Sequence, residues 1–395
     1  MKLTLNELIN KNEDAFYFFD SAVLRERVKH IKSFFDNNVN ICYAVKANTF
    51  ITGEIADLAD RFEICSPGEE RICRDIGIEY KKMVISGVYK TPSFIENLIA
   101  DESFDGIITA ESVHQYDFIC EYAQKYTHKI KVLPRLTNDS QFGVNKSDIE
   151  KMISQRENHP YIDIAGIQFF SGTQKTSVKK YAREINKLNE FLNHLKDNYG
   201  YTARELEYGT GFPVAYFEGE ETNEEEIFAS LSSLLSSIDI KPEITLEIGR
   251  SIAASCGKYY THIVDIKTNK SQNYVLTDGG MHHIVYFGQH MAMKMPAFSV
   301  IGKENEPKEK EYNICGSLCS MNDIMVKQAP LPEIKIGDVI CFKNTGAYCP
   351  TEGISLFLSR DIPAVYLKKE DSEIIRLRDS FETYNLNNPK DERMF

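Results

Sequence analysis

From about residue 40 to residue 250, short apolar runs alternate with longer amphipathic or charged stretches. The runs are Asn40–Val45, Phe62–Cys65, Met83–Ser86, Gly106–Thr109, Ile130–Pro134, Ile164–Phe169, Glu205–Tyr208 and Ile244–Glu247. Runs this short suit strands buried on both faces. The segments between them, such as Val178–Asn198 and Glu224–Ser237, read as helices. Strand–helix repetition predicts a parallel sheet with right-handed crossovers. Eight such units in about 210 residues fit a (β/α)8 barrel, an α/β fold whose functional site lies at the C-terminal strand ends. A doubly wound open sheet is the competitor. It would want a Gly-rich turn after the first strand, and Lys46-Ala47-Asn48 stands there instead.

After Cys256 the alternation stops. Tyr259–Ile266, Tyr274–Thr277, Val339–Phe342 and Ile362–Tyr366 are β-rich, with Gly and Pro between them. The expected organisation is a barrel over residues 20–255 and an all-β domain over residues 256–385, onto which residues 1–19 could pack. Residues 386–395 read as a frayed tail. The charged stretch Gly302–Lys310 reads as a mobile loop.

Composition narrows the function classes. At 42% hydrophobic and 26% charged, the chain is an ordinary globular one, which excludes collagen-like, disordered and disulfide-scaffold readings. The formal charge of −12, with no basic patch, disfavours nucleic acid as a partner. No run approaches the roughly 18 apolar residues of a membrane span, so no membrane is expected. The start, Met1-Lys2-Leu3-Thr4-Leu5-Asn6-Glu7, lacks the apolar core of a secretory signal. Nine scattered cysteines are an odd number, which suits free thiols in the cytoplasm. Cys315 and Cys319 lack a second pair at zinc spacing, and no metal is expected.

Three motifs end predicted strands. Lys46 follows Ile41-Cys42-Tyr43-Ala44-Val45, where burial would lower its pKa and make the amine a better nucleophile toward an aldehyde; a snorkelling surface lysine is the plain alternative. Gly209-Thr210-Gly211-Phe212-Pro213 could bring backbone N–H groups close to an anion, or be a simple turn. Glu247-Ile248-Gly249-Arg250 places an acid and a base three apart, either to grip opposite poles of a ligand or to pair with each other.

Taken together, Tyr43-Ala44-Val45-Lys46-Ala47-Asn48, Gly209–Pro213, Glu247–Arg250, Asp278-Gly279-Gly280-Met281, Cys315–Asp323 and Gly346-Ala347-Tyr348 closely resemble the motifs of fold-type III pyridoxal-phosphate decarboxylases. The chain resembles the ornithine/diaminopimelate/arginine decarboxylase group, nearest its diaminopimelate side, over nearly its whole length. The resemblance implies an alanine-racemase-like fold, a barrel followed by a β domain. It also implies pyridoxal 5'-phosphate as cofactor and a homodimer with shared active sites. Carried over by motif, Lys46 holds the cofactor as a Schiff base. Glu247 pairs with the pyridine nitrogen, keeping it protonated so that the ring accepts electrons. Gly209, Gly211, Arg250 and Tyr348, with Thr173, belong to the phosphate-binding set, and Thr210 and Gly249 are cofactor-binding positions beside them. Cys319 crosses the dimer interface and helps protonate the carbanion. Asp278, His282, Ser320 and Asp323 fall on the substrate side.

Several positions depart from the family pattern. Phe170 stands where a His usually stacks on the ring; it can stack but cannot exchange a proton. Thr210 replaces a Gly, and Ile248 a Pro. Ser320 replaces the acid that in the family receives the substrate's distal amine. A hydroxyl cannot neutralise an ammonium, so dibasic substrates are disfavoured unless Asp323, one helical turn on, reaches round. Asp278–His283 resembles a subgroup of antibiotic and polysaccharide pathways, one member of which decarboxylates a glutamyl group on a carrier protein; ordinary surface or interface histidines are the plain alternative for His282 and His283.

The expected activity is therefore α-decarboxylation of an amino acid, giving an amine and CO2, with a non-standard or carrier-protein-bound aminoacyl substrate. An ordinary diaminopimelate, ornithine or lysine decarboxylase is the alternative. An amino-acid racemase of this fold would want Arg, not Glu247, at the pyridine nitrogen. A silent regulatory homologue would tend to lose Lys46 or the phosphate grip, and a barrel-only cofactor carrier would lack the β domain.

Overall fold

The computed structural model describes residues 3–12 and 14–389 of the chain. It divides into two compact units, one of Arg25–Val214 with Thr222–Ile252, the other of Met1–Leu24, Ala215–Glu221 and Ala253–Phe395. The expected uninterrupted barrel segment 20–255 thus differs at 215–221, which joins the sheet unit. Part of the expected tail, residues 390–395, lies outside the described residues, as do Met1, Lys2 and Glu13.

The first unit is a closed barrel. The strands of its ring are β1 (Val39–Ala44), β2 (Arg61–Ile64), β3 (Met83–Ile85), β4 (Ile107–Ala110), β5 (Ile130–Leu136), β6 (Gly166–Phe170), β7 (Glu205–Gly209) and β8 (Glu243–Ile248), and a short ninth strand, Ile162–Ile164, pairs with β5 just before β6. All neighbours pair in parallel. The ring runs β1 to β8 and closes where β8 pairs β1, Ile244 opposite Val39 and Glu247 opposite Cys42. The helices begin where the sequence supplies caps. Ser66, Thr91 and Ser112 each accept a hydrogen bond from an N–H in the first turn of Pro67–Asp75, Pro92–Ala100 and Val113–Tyr126, satisfying a donor that the helix itself leaves open.

Residues opposite each other in parallel register share a face, and this fixes what the barrel encloses. Cys42, Val84, Ile107, Leu133 and Ala165 form a small apolar cluster. On the same inward parity stand Glu63, Arg135, Gln168, Glu207, Thr245 and Glu247, all buried. A barrel interior is ordinarily filled by branched apolar side chains. Here much of it is polar. At the N-terminal strand ends, Arg61 of β2 bonds Glu205 of β7 at 2.7 Å and lies 3.5 Å from Glu243 of β8.

The second unit is a nine-stranded sheet whose main path runs Ile324–Leu331, Lys310–Cys315, Gln272–Thr277, Gly257–Asn269, Phe16–Asp20, Ala364–Lys368, Ile374–Arg378. The 13-residue strand Gly257–Asn269 organises it, pairing in turn with Phe16–Asp20, Val339–Lys343 and Gln272–Thr277. The stretch read as a loop forms successive turns, and Lys310 opens a strand.

The Arg61–Glu205 pair yields a stability prediction. Both side chains are about nine-tenths buried, so Arg61→Ala would leave a buried carboxylate without its partner. The expected cost is about 3 kcal/mol or more by urea denaturation, against well under 1 kcal/mol for an exposed pair.

Candidate active site

After β1 the chain enters a tight 3-10 turn, Val45–Ala47, which carries Lys46 out of the strand. The turn corrects the expectation of a desolvated amine: the Lys46 side chain is 40% exposed and pairs with the carboxylate of Glu63, itself buried on β2. Burial alone would raise the Glu63 pKa; the charge of Lys46 and the hydrogen bonds from Lys46 and Cys65 outweigh it and hold the carboxyl below its ordinary value. The Cys65 Sγ lies 3.6 Å from the Lys46 amine, and burial, then the charge of Glu63, push the thiol pKa up, so Cys65 stays neutral.

Glu247 of β8 lies level with Cys42 and Gly209 in the register and points into the barrel. Gln168 of β6 donates its amide N–H to Glu247 Oε1. Burial, then the nearby charge of Glu63, raise the Glu247 pKa. Three residues on, Arg250 Nε donates to Thr173 Oγ1 at 3.3 Å, so the acid and the base of this motif are directed to different partners.

The turn after β7 is shaped by close approach. Gly211 has φ +60°, and a Cβ there would lie 2.0 Å from Gly172 O; a Cβ on Gly209 would lie 2.3 Å from the Phe170 ring. Thr210, where the family pattern has Gly, fits because it turns away: its N–H and hydroxyl both donate to Glu247 O at 3.2 Å. Lys175 lies beneath. Its N–H donates to Gly211 O at 2.9 Å and its amine to Gly209 O at 3.3 Å and Glu184 at 2.9 Å. Burial lowers the Lys175 pKa to about 8, although Glu184 opposes this. Among the described residues, the N–H groups of Gly211 and Phe212 donate to no protein acceptor. Phe170 is half-buried at the end of β6, with the Arg135 guanidinium 5.9 Å from its ring centre. Gly249 opens the turn into Arg250.

The sheet unit carries the remaining expected residues. Cys319 is exposed and Ser320 half-buried; Ser320 Oγ accepts from the Asn322 N–H at 3.2 Å. Asp323 corrects the expectation of a substrate acid. It is 2% exposed, its Oδ1 accepts from Met281 N–H at 2.7 Å and its Oδ2 from Leu318 N–H at 2.8 Å. Residues 320–323 form a tight turn rather than a helix, which directs Asp323 inward. Asp278 is likewise engaged, accepting from Thr261, from the His262 N–H at 2.9 Å and facing the His262 ring at 3.0 Å. His282 is buried against His283, ring centres 3.8 Å apart, and burial lowers its pKa to about 3. Tyr348 is half-buried, with φ +65°.

Four neighbours of Lys46 and Glu247 escape sequence reading: Glu63, Cys65, Gln168 and Glu207. The available signal was parity, since each lies two residues from another inward position or ends such a row.

The barrel mouth suits pyridoxal phosphate. It joins an amine at Lys46, an inward acid at Glu247, and a turn with unspent N–H groups near a guanidinium and a hydroxyl, the donors a phosphate requires. Gly211→Ala should weaken cofactor binding about tenfold or more, the weight of one charge-assisted hydrogen bond, because a Cβ 2.0 Å from Gly172 O forces the turn to shift and takes the free N–H groups away from the phosphate. Fluorescence titration of the apoprotein would measure it, with far-UV circular dichroism confirming an intact fold.

The chain is 26% identical to the L-glutamyl-(BtrI acyl-carrier protein) decarboxylase of Niallia circulans, over 94% of this chain and 93% of that one. It is 23% identical to the diaminopimelate decarboxylase of Aquifex aeolicus, over 96% and 93%. The structure of Helicobacter pylori diaminopimelate decarboxylase with L-lysine superposes with a TM-score of 0.85 at 25% identity, covering 97% of this chain and 98% of that one. Residues 21–254, more than half the chain, match the family "Pyridoxal-dependent decarboxylase, pyridoxal binding domain". The chain belongs to that family, and is a pyridoxal-phosphate-dependent amino-acid decarboxylase.

Proposed function

We propose that the substrate is an amino acid without a free distal ammonium, carried as an aminoacyl group on a carrier protein. The observation that carries this reading is the pairing of Ser320 with an Asp323 whose two carboxylate oxygens are already bound to backbone N–H groups. Neither residue offers a free negative charge to a distal amine. The likeness to a relative named for a carrier-bound glutamyl group supports the same choice.

When bound, pyridoxal phosphate supplies the electron sink that accepts the pair released as the α-carboxylate departs as CO2. In this assignment Lys46 holds the cofactor, and Glu63 balances the ammonium charge whenever that amine is free. Glu247, its orientation set by Gln168, would hold the proton on the ring nitrogen. Arg250, Thr173, Gly209, Gly211 and Gly249 would form the phosphate grip on the barrel, with Thr210 shaping the turn through its bonds to Glu247 O; Tyr348 keeps the phosphate-binding role that the family motif implies. Phe170 offers an apolar face and moves no proton. Cys319 returns a proton to Cα.

A screen of CO2 release tests the substrate class. Carrier-bound glutamyl and other aminoacyl groups should turn over, while free diaminopimelate, lysine and ornithine should be poor. Ser320→Glu should raise kcat/KM for the dibasic amino acids about tenfold, the difference between a neutral and a charge-assisted hydrogen bond. Efficient turnover of free diaminopimelate by the unmodified protein would return it to the ordinary activity of its relatives.

The shared site is the second part of this proposal. With Cys319 donated across a homodimer, mixed Lys46→Ala and Cys319→Ala chains should regain about a quarter of full activity after subunit exchange. No recovery, with exchange demonstrated by tagged subunits, would place both residues on one chain.

A further inference from the structure

Glu207 has no part in the site as described, yet it is the most deeply buried acid of the barrel. It lies in the middle of β7, fully enclosed, in register with Gln168 of β6 and Thr245 of β8. Neither of its carboxyl oxygens receives a hydrogen bond from a described donor. On the facing strand β8, two residues beyond the Thr245 it opposes and one layer nearer the mouth, stands another buried inward carboxyl, that of Glu247, whose charge acts on it. Two ionised carboxylates cannot rest together in a dry interior without a donor between them, so one proton must lie in the contact.

We propose that Glu207 is a positioning residue that holds a proton shared with Glu247, donating it as an O–H···O hydrogen bond and leaving Glu247 the ionised member. Burial, then the charge of Glu247, push the Glu207 pKa well above the ordinary carboxylate value. The other groups facing it are Glu63 of β2, which adds to the rise, Arg61 of β2, which opposes it, and the neutral Cys42 thiol of β1. Lys46 acts on Glu247 in the opposite sense to Glu63, favouring its ionised form. Glu247 then has two donors of its own, the Gln168 amide and the Glu207 hydroxyl. Together they fix the carboxylate in one orientation and oppose the rise in its basicity that burial and Glu63 impose. With that rise held down, Glu247 would leave a proton on the ring nitrogen of a bound cofactor rather than take it. This last consequence rests on the assignment of Glu247 to the cofactor; the shared proton does not.

The proton can be read in the apoprotein. Infrared spectra at pH 8 should show a protonated carboxyl band that shifts in D2O and is lost in Glu207→Gln. Absence of any such band in the unmodified protein overturns the proposal, as does a band unchanged in both Glu207→Gln and Glu207→Met. Stability gives an independent reading. A raised folded-state pKa means that this acid's contribution is fully present below its unfolded pKa and is lost as pH climbs toward the folded value. The Tm of Glu207→Gln relative to the unmodified protein should therefore rise between pH 5 and pH 8. A pH-independent difference would mean that Glu207 carries no proton there.

Cofactor affinity separates the two layers of the argument. Glu207→Gln retains a donor to Glu247 and should bind pyridoxal phosphate nearly as the unmodified protein does. Glu207→Met removes the donor and should weaken binding about tenfold, the weight of one charge-assisted hydrogen bond. If the infrared and stability results hold but Glu207→Met binds cofactor normally, the shared proton stands and its role in positioning Glu247 falls.

Discussion

The pairing of β8 with β1 is the constraint on which the rest of the barrel depends. It joins the last strand to the first, setting Glu247 opposite Cys42 and Ile248 opposite Tyr43. In an open sheet these strands could lie at opposite edges, with Lys46 and Glu247 more than a barrel diameter apart. Closure brings the residues after β1 and those ending β8 to one mouth. It also shuts the inward side chains of eight strands away from water. A carboxylate there must find a charge or a donor, and the observed contacts are the ones that result: Lys46 with Glu63, Gln168 with Glu247, Arg135 with Glu111 at 2.8 Å.

The places of all eight barrel strands were legible as short runs between helical stretches, most of them apolar. The identity of the inward residues was not legible, and β2 and β7 show why. Arg61-Phe62-Glu63-Ile64 and Glu205-Leu206-Glu207-Tyr208 alternate charged and apolar residues, the pattern of a strand with one face in water. In the barrel the alternation is turned inside out. Leu206 and Tyr208 pack outward, where Tyr208 meets Glu184 and Lys175, while Glu63 and Glu207 line the interior. Alternation alone cannot say which side is wet; only closure does. In the sheet unit the missed strand Phe16–Asp20 has partners at Tyr259 and Ala364, some 240 and 350 residues away, and nothing local announces them. The setting of two motif residues was misjudged: Lys46 is more exposed than its strand suggested, Asp323 more enclosed.

The departures from the family pattern differ in what the surrounding residues do about them. Thr210 is absorbed, since its hydroxyl and N–H both turn to Glu247 O and nothing protrudes into the turn. Phe170 is accommodated by Gly209, whose missing Cβ leaves the room its ring occupies. Ser320 has no such answer within its own segment. Asp323 cannot move to replace the lost charge, because Gly280 and Gly316 close around its carboxylate so tightly that a Cβ on either would fall 2.6 Å and 2.3 Å from its oxygens. That acid is committed to bracing backbone.

Lys175 shows how a buried charge can serve a site without touching a ligand. Its backbone N–H takes the Gly211 carbonyl and its amine takes the Gly209 carbonyl, drawing both to one side of the turn. A peptide group is planar, so a carbonyl fixed on one side sends the following N–H to the other. With Gly211 O held by Lys175, the Phe212 N–H points away from it. With Gly209 O held likewise, the Thr210 N–H points to Glu247 O, as observed at 3.2 Å. An enclosed ammonium is tolerated here because Glu184, Ser171 and Tyr208 surround it, and burial still depresses its pKa. The turn therefore owes its conformation to two agents at once. Glycine permits the positive φ, and a cation beneath it selects which way the peptide groups face.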